Sequence, residues 1–262
     1  MVSIKSEREI ALMREAGHYN YLAHEEMKKH LKPGVTTEEL DKICYDFCIK
    51  NDCYPSCLHY EGYPKSVCIS INDEVVHGIP SKRKIKNGDI VSIDLCVERK
   101  GYQSDSARTY IVGEVSDEVK DLVKYTEEAL YVGLKQVRSG ARIGDIGNAI
   151  EDFAHSHNLS VVEELVGHGI GTNIHEDPDV PNYGKKNTGY TLKEGMTICV
   201  EPMLNLGKRY VCMLDDDWTV VTEDGKPSAH FEHTVLVTKD GYEILTGEWL
   251  NGKSKKCKKS NQ

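Results

Sequence analysis

One stretch of the chain decides its fold: Glu194-Gly195-Met196-Thr197-Ile198-Cys199-Val200-Glu201-Pro202. Apolar and small residues run from Met196 to Val200 and predict a buried strand. A carboxylate follows at Glu201, and a carboxylate at the end of a buried strand is costly unless something pairs with it. The stretch therefore predicts a strand that delivers an acid to an internal site.

The same pattern occurs earlier, in Lys86-Asn87-Gly88-Asp89-Ile90-Val91-Ser92-Ile93-Asp94. Three pairs of residues lie 107 positions apart: Lys86 and Lys193, Gly88 and Gly195, and Asp94 and Glu201. A second set recurs with an offset of 106: Gly34, Leu40 and Phe47 match Gly140, Ile146 and Phe153. The sequence thus predicts a duplicated chain whose halves each deliver a carboxylate to a shared site.

Helices are predicted from their start signals. Ser6 to Glu9 and Thr36 to Glu39 both match the capping box,. Ser116 is expected to cap a third helix that runs to Arg138, and a fourth is expected around residues 143–153. Expected strands are 67–71, 90–97, 109–112, 161–163, 218–221, 231–238 and 242–245. Asp105 is expected to precede the third of these strands, and Glu232 to lie inside the sixth.

Composition excludes several classes of protein. The chain has 262 residues and a net charge of −9, which does not favour binding to DNA or RNA,. No apolar run approaches the roughly 18 residues of a membrane span. Nine cysteines follow an N-terminus without an apolar leader, which favours reduced thiols in a cytoplasmic protein,. Cys44, Cys48, Cys53 and Cys57 raise the alternative of a zinc site, but without a CxxC pair they are better interpreted as small core residues.

Four acids lie in or beside the apolar strands: Asp94, Asp105, Glu201 and Glu232. Any one of them alone could be a strand-end residue that faces water. Four together, two from each half, require a counter-charge, because crowded carboxylates cannot all stay ionised without cations. Two divalent cations would balance them, and His168, set among glycines, is a candidate fifth ligand. Oxygen ligands with one imidazole suit Mn, Fe(II), Co or Zn.

Other catalytic motifs are absent from the sequence. Gly167-His168-Gly169-Ile170-Gly171 is not the GxGxxG of a dinucleotide site,. His175-Glu176 is followed by Asp179 where HExxH needs a second histidine,. No GxSxG nucleophile elbow occurs,.

The order of these residues resembles the methionine aminopeptidases. Asp94 and Asp105 are followed by His168, Glu201 and Glu232, in the local contexts Ser92-Ile93-Asp94, Gly167-His168-Gly169-Ile170-Gly171, Val200-Glu201-Pro202 and Phe231-Glu232-His233-Thr234. The resemblance covers roughly residues 3–245, and its compact length is similar to the type 1 bacterial form. It implies an α+β pita-bread fold with two pseudo-symmetric halves around a dinuclear metal site. The catalytic domain would span 1–250, with halves of about 1–113 and 114–250.

The resemblance also implies a function. The protein would be a cytoplasmic, monomeric hydrolase that removes the initiator methionine from nascent proteins when the second residue is small. Asp94 would bind one metal ion, His168 and Glu201 the other, and Asp105 and Glu232 both. Glu201 would also carry protons during peptide hydrolysis. His175 would stabilise the tetrahedral oxyanion, and His77 would contact the substrate beside the scissile bond.

A substrate pocket is expected from the same resemblance. Its wall would comprise Cys57, Tyr60, Tyr63, Cys68 and Trp218, a soft and aromatic surface that suits a thioether. Each of these residues could instead belong to the ordinary core. Ile174 departs from the family pattern, since bacterial relatives often carry an aromatic residue there, and this leaves the shape of the pocket open.

Two other functions remain open from the sequence. One is a proline-directed pita-bread peptidase, although such enzymes usually carry a large N-terminal domain. The other is an inactive relative that binds RNA or the ribosome, although such proteins typically lose metal ligands. The tail 251–262 carries five lysines and is expected to be disordered,. A contact between this tail and ribosomal RNA is a hypothesis, set against the simpler interpretation of a solvated tail.

Overall fold

The structure is a computed structural model that describes residues 2–250 and 253–254, with strand assignment alone at 249–250 and 253–254. Within these residues the α-helices come in two consecutive pairs, each followed by a run of strands. Their bounds are α1 Glu7–His30, α2 Thr37–Lys50, α3 Asp117–Leu134 and α4 Ile143–Ser156, and a 3-10 turn spans Tyr60–Gly62. The strands are β1 Tyr54–Pro55, β2 Cys68–Ile71, β3 Glu74–Val76, β4 Asp89–Arg99, β5 Tyr102–Val112, β6 Ser160–Val161, β7 Gly167–Gly169, β8 Glu176–Val180, β9 Thr197–Val200, β10 Met203–Asn205, β11 Val211–Met213, β12 Val220–Thr222, β13 Ser228–His230, β14 His233–Val237, β15 Tyr242–Ile244, β16 Trp249–Leu250 and β17 Lys253–Ser254.

Two main sheets correspond to the two halves of the chain. In the first, β4 pairs with β1, β2 and β5, all antiparallel. In the second, the order is β15-β14-β9-β7-β8. The helices α1 and α2 contact each other in the first half, and α3 and α4 in the second. This arrangement is an α+β fold built from two similar layers.

The helix starts follow the predicted caps. Ser6 and Thr36 accept hydrogen bonds from the backbone N–H groups of Glu9 and Glu39, and both glutamates bond back to complete the capping boxes. Ser116 is the N-cap of α3, but its side chain makes no capping bond. The expected end of α3 at Arg138 is wrong. The helix ends at Leu134, because the next N–H groups turn back in three-residue steps, from Gln136 to the carbonyl of Gly133 and from Val137 to that of Leu134.

The duplication extends from the sequence to the backbone. Gly34 donates to the carbonyl of Ile85 at 2.8 Å, and Gly140 donates to that of Leu192 at 2.9 Å. Isolated bridges join Thr36 to Lys84 and Arg142 to Thr191. Gly34 and Gly140 both have positive φ, at 94° and 88°, which glycine adopts without steric cost,. The same turn therefore opens the second helix of each half.

A seam joins the two halves along β5 and residues 230–234. The Thr234 hydroxyl accepts a hydrogen bond from the N–H of Asp105 at 2.9 Å and donates to the Asp105 carbonyl at 2.8 Å. The Thr109 hydroxyl bonds the N–H and the carbonyl of His230 in the same way, both at 2.9 Å. Between these two clamps, the Glu232 N–H donates to the Ala107 carbonyl at 2.9 Å. The seam therefore fixes the register of one half against the other.

The seam corrects two expectations. Asp105 lies inside β5, opposite Cys96, and not ahead of the strand. Glu232 lies between β13 and β14, and not inside a continuous strand. In both cases hydrogen bonds across the seam replace the apolar alternation from which a strand is normally predicted, so the sequence pattern gave the wrong boundary.

Each half has its own apolar core. The first-half core contains Val91, Ile93 and Leu95 of β4 and also Cys44, Cys48 and Cys53. These three thiols lie where small core residues are expected. The second-half core contains Ile146 and Ile150 of α4 and the buried face of β9 and β14. Both cores support the strands that position the acids: β4 carries Asp94, and β9 leads directly to Glu201.

Among residues 2–250 and 253–254, no helix combines the length and apolar character that crossing a bilayer requires. Most of the tail 251–262 lies outside the described residues, so the expected disorder stays a prediction. Within it, residues 253–254 pair with 249–250 as a short antiparallel ribbon.

Candidate metal centre

Two acids come from one face of the β4–β5 hairpin. Asp94 pairs across the ladder with Ala107, and Asp105 pairs with Cys96, two positions along β4. Residues two apart on a strand share a face, so both carboxylates project to the same side. Cys96 donates from Sγ to Asp105 Oδ2 at 3.0 Å.

The other two acids flank the paired strands of the second half. Glu201 follows β9 and Glu232 precedes β14, and the adjoining residues Val200 and His233 are directly paired. The two carboxylates therefore start from neighbouring backbone positions. The seam bond from Glu232 to Ala107 brings them against the β4–β5 hairpin.

His168 completes the group from β7. Its Nε2 lies 3.5 Å from Glu201 Oε1 and 3.8 Å from Asp105 Oδ2. Its Nδ1 lies 2.9 Å from the Gly169 carbonyl, which can accept only, so Nδ1 carries the proton and Nε2 presents a lone pair to the acids,. Gly167 and Gly169 permit this position, because a Cβ at either would lie about 2.4 Å or less from the backbone oxygens of Cys199 and Asp177.

The buried carboxyl groups at this site lie close enough to repel one another when ionised. Burial and mutual repulsion raise the pKa values of Asp94, Glu201 and Glu232 well above their usual range. Burial raises the pKa of Asp105 to about 7, although the hydrogen bond from Cys96 opposes this rise. Burial and the neighbouring His175 lower the pKa of His168 to about 4. Four crowded acids beside a neutral imidazole favour the entry of cations.

The donor atoms fit a hard or borderline metal ion. Asp105, His168, Cys199 and Glu232 each offer a ligand atom within 4.8 Å of the others. Three buried oxygens lack a hydrogen-bond partner among the described residues: Asp105 Oδ1, Glu201 Oε1 and Glu232 Oε1. Such atoms are costly unless a cation or water satisfies them. Burial raises the pKa of Cys199 well above its usual value, which keeps this thiol protonated and makes it a poor ligand,.

Two predicted histidines lie beside the acids. The rings of His168 and His175 pack edge to face with centroids 4.3 Å apart. Tyr60 Oη lies 2.7 Å from His175 Nδ1. His77 packs against Trp218 with centroids 6.3 Å apart. The structure thus gathers both histidines and two of the predicted pocket residues around one recess.

The predicted pocket residues form one apolar cluster. Cys57, Tyr63 and Cys68 are buried in it, and Tyr60 and Trp218 pack against it. Ile174, which left the shape of the pocket open, and Cys96 are buried in the same cluster, and Ile79, which was not predicted, packs against it. Cys96 lies two positions after Asp94 and so on the same face of β4. The cluster adjoins the acids through the bond from Cys96 to Asp105.

His230 is a residue that the sequence analysis missed. It is 2% exposed, and its Nε2 lies 3.8 Å from Glu201 Oε2. No sequence signal marked it, because it stands at no recognised ligand spacing. Its closeness to the acids arises only from the seam.

An internal ion pair braces the loop before β8. Lys5 Nζ donates to Glu176 Oε2 at 2.7 Å, and the two side chains are 4% and 15% exposed. Glu176 Oε1 also accepts from the N–H groups of Thr172 and Asn173. Since His175 precedes Glu176, this brace fixes the loop that carries His175.

Comparisons with known proteins agree with this geometry. Residues 11–239 match the model of metallopeptidase family M24. Methionine aminopeptidase 1 of Bacillus subtilis is 50% identical over 246 residues, which cover 94% of this chain and 99% of that protein. The crystal structure of methionine aminopeptidase from Rickettsia prowazekii superposes with a TM-score of 0.93 at 46% identity and covers 94% of this chain and all of that chain.

A more distant likeness tests the proline-directed alternative. The Xaa-Pro dipeptidase of Bacillus anthracis superposes with a TM-score of 0.75 at 25% identity, and the match covers only 62% of that chain. The predicted fold class and family resemblance are therefore confirmed, and the comparisons favour the aminopeptidase branch over the proline-directed one.

Proposed function

This chain belongs to metallopeptidase family M24, and from that premise we propose how it removes the initiator methionine from proteins whose second residue is small. It is a metal-dependent hydrolase of the bacterial methionine aminopeptidase type. One observation carries the proposal: four acids and His168 converge beside a closed cluster of thiol and aromatic side chains. The first group suits hydrolysis, and the second suits a methionine side chain.

We assign Asp94, Asp105, His168, Glu201 and Glu232 as the ligands of two divalent cations, drawn from Co, Mn, Fe(II) and Zn. The unpartnered oxygens of the three acids and the Nε2 lone pair of His168 support this set. Bound cations would supply the positive charge that polarises a peptide carbonyl and makes water a nucleophile near neutral pH. Asp105 and Glu232 lie on the seam between the two halves, and the family resemblance implies that each would serve both cations.

Glu201 is assigned as the group that carries protons. Burial and the charge of Asp105 raise its pKa well above the usual range, so this carboxyl can hold a proton near neutral pH,. It takes a proton from the attacking water and delivers it to the departing amine. The closeness of its Oε1 to His168 Nε2 places it at the centre of the acid group.

His175 is assigned to the scissile peptide. When the Tyr60 hydroxyl donates a hydrogen bond to Nδ1, the proton of the neutral His175 ring is on Nε2. This N–H can then donate a hydrogen bond to a developing oxyanion,. Burial lowers the pKa of His175, which keeps the ring neutral and the tautomer defined. His77 is assigned to the other side of the bond, against Trp218.

The cluster of Cys57, Tyr63 and Cys68, with Tyr60 and Trp218 against it, is assigned as the methionine pocket. Thiol and aromatic walls are polarisable and make favourable contacts with a thioether sulfur. Tyr63 and Trp218 meet edge to face with centroids 5.0 Å apart, which closes one wall. These thiol and aromatic walls favour an apolar first side chain over a strongly hydrated one.

The test is the release of free methionine from Met-Ala-Ser and Met-Lys-Ser, with metal-free protein titrated with Mn(II), Co(II), Fe(II) or Zn(II). We expect metal-dependent release from Met-Ala-Ser alone. An Ala-Pro peptide serves as the matched substrate for the proline-directed alternative. Its cleavage without methionine release would overturn the proposal.

The ribosome remains a proposed partner of the basic tail, which lies mostly outside the described residues. Nascent chains with a free N-terminus are the proposed substrates, and a phosphate-binding tail would keep the enzyme near them. The measurement is co-sedimentation with ribosomes for the full chain and for a chain that ends at Leu250. Equal, salt-sensitive binding of both forms would contradict a role for the tail.

A further inference from the structure

His230 is a buried imidazole whose ring nitrogens lack hydrogen-bond partners among the described residues. It lies at the end of β13 and is 2% exposed. A buried polar group without a partner costs free energy comparable to a lost hydrogen bond. We therefore expect the His230 ring to form a hydrogen bond in the active state of the protein.

The backbone of His230 is held as firmly as that of a metal ligand. The Thr109 hydroxyl bonds both its N–H and its carbonyl, as the Thr234 hydroxyl bonds those of Asp105. Thr109 and Thr234 lie 125 positions apart, and so do Asp105 and His230. His230 therefore occupies, in the second half, the seam position that Asp105 occupies in the first.

The ring faces one oxygen of Glu201. His230 Nε2 lies 3.8 Å from Glu201 Oε2, and His168 Nε2 lies 3.5 Å from Glu201 Oε1. The carboxylate thus stands between two imidazoles, with one oxygen toward each. A shift of about 1 Å brings the His230 contact to hydrogen-bond length.

We propose that His230 is a positioning residue that donates an N–H to Glu201 Oε2 and so keeps Oε1 directed at His168 and the cation site. This inference rests on the metal centre assigned above and adds a residue to it. His230 supplies orientation and no charge. Residues that hydrogen-bond a metal ligand typically contribute 10- to 100-fold in metal affinity.

The experiment compares three variants by calorimetric titration of the metal-free protein with Mn(II), without peptide. We expect His230→Leu to lose about 10- to 100-fold in affinity, because it fills the space without a donor. His230→Asn should lose a similar amount, because its shorter amide cannot reach Glu201. His230→Gln should stay within about threefold of the wild type, because its amide N–H spans the gap. His155→Leu, which removes an exposed imidazole of α4, is the control and should bind Mn(II) normally.

Two results would overturn the inference: wild-type affinity in His230→Leu and His230→Asn, or an equal loss in all three variants. The second would assign the effect to packing. If His230→Leu fails to fold, the Asn and Gln variants still decide the question, with melting temperature as the check on folding. The titration uses no peptide, so the ratio of variant to wild-type Mn(II) affinity does not depend on methionine release. Failure of the proposed function would appear separately, as absence of methionine release by the wild type.

Discussion

The β4–β5 hairpin of the first half and the β9–β14 pair of the second are two versions of one scaffold. Ser92 Oγ contacts Thr109 Oγ1 at 2.8 Å, and Cys199 Sγ contacts Thr234 Oγ1 at 3.5 Å. Each threonine then clamps the backbone of the opposite half. The backbone of the seam is therefore close to two-fold symmetric.

The side chains on this scaffold break the symmetry. Asp105 corresponds to His230 and Glu232 corresponds to Ala107, both at an offset of 125. Each half thus contributes one acid to the seam from a position where the other half has none. The comparison teaches that the duplication provides the position of the centre, and that substitutions made separately in each half provide its chemistry.

The largest expected effect comes from removing one of these unmatched acids. Asp105→Asn and Glu232→Gln should each lower methionine release more than about 100-fold, beyond the effect typical of residues that only support a ligand. The melting temperature of the metal-free protein should hold or rise, because one of four like charges is gone. Release rates and calorimetry measure both quantities.

Glu163→Gln is the matched control, since it removes a half-buried acid that pairs with Arg209. It should leave the release rate unchanged. Full activity and normal metal content in Asp105→Asn would contradict the assignment of Asp105 to the centre.

The pH dependence of metal binding should reveal the crowding of the acids. The pKa of Asp105 is raised to about 7 by burial, so this group is mostly protonated below pH 7 and must release its proton when a cation binds,. Affinity should therefore fall as the pH is lowered from 7 to 6, by about tenfold per pH unit for each proton released.

Calorimetry in buffers of different ionisation enthalpy counts these protons. Asp105→Asn should release fewer of them. A Mn(II) affinity that is constant between pH 6 and pH 8 would contradict the raised pKa values.

Removing the Thr109 or the Thr234 hydroxyl should lower the free energy of unfolding by a similar amount but should affect metal binding differently. Thr109→Val and Thr234→Val each leave a buried N–H and carbonyl without the hydroxyl, at a cost of about 1–3 kcal/mol per group. Thr234→Val should weaken metal binding more, because it frees the backbone of Asp105, whereas Thr109→Val acts through His230. Urea unfolding and Mn(II) titration separate the two effects, and equal loss of affinity in both variants would argue against the asymmetry.

The smallest effect is expected from the brace between Lys5 and Glu176, which ties the N-terminal segment to the second half. Lys5→Met removes the ammonium group but leaves Glu176 bonded to two backbone N–H groups. We expect a fall in kcat of about tenfold or less through displacement of His175, with metal affinity unchanged. Lys29→Met, on the exposed end of α1, is the control. An unchanged kcat in Lys5→Met would show that the brace does not act on His175.

Much of the scaffold could be predicted because its signals are local. The capping boxes at Ser6 and Thr36 depend on residues three positions apart, and the offset of 107 is visible in the apolar strands themselves. The acids were predicted from their places in or beside apolar strands and His168 from its glycine neighbours, while the family resemblance supplied their individual roles.

The seam could not be predicted in the same way. Residues 103–106 are polar, and their side chains are satisfied by hydrogen bonds, such as those of Ser104 to the Val97 carbonyl on the neighbouring strand and of Ser106 to Asn20 of α1. Their pattern therefore does not alternate as a strand should. His230 was missed for a related reason, because its neighbours in space come from the other half of the chain.

The β4–β5 hairpin and the β9–β14 pair also differ in how their strands are connected. Residues 100–101 join β4 to β5, whereas residues 201–232 join β9 to β14 and carry β10 to β13 and Trp218. The middle of this connection carries β11, β12 and Trp218, which packs against the cluster of Cys57, Tyr63 and Cys68, and it contains neither the acids nor the clamped His230. Its length and sequence can thus change in evolution while the acids keep their places, which makes it the part of the molecule where a new substrate preference can arise at the least cost to the hydrolytic centre.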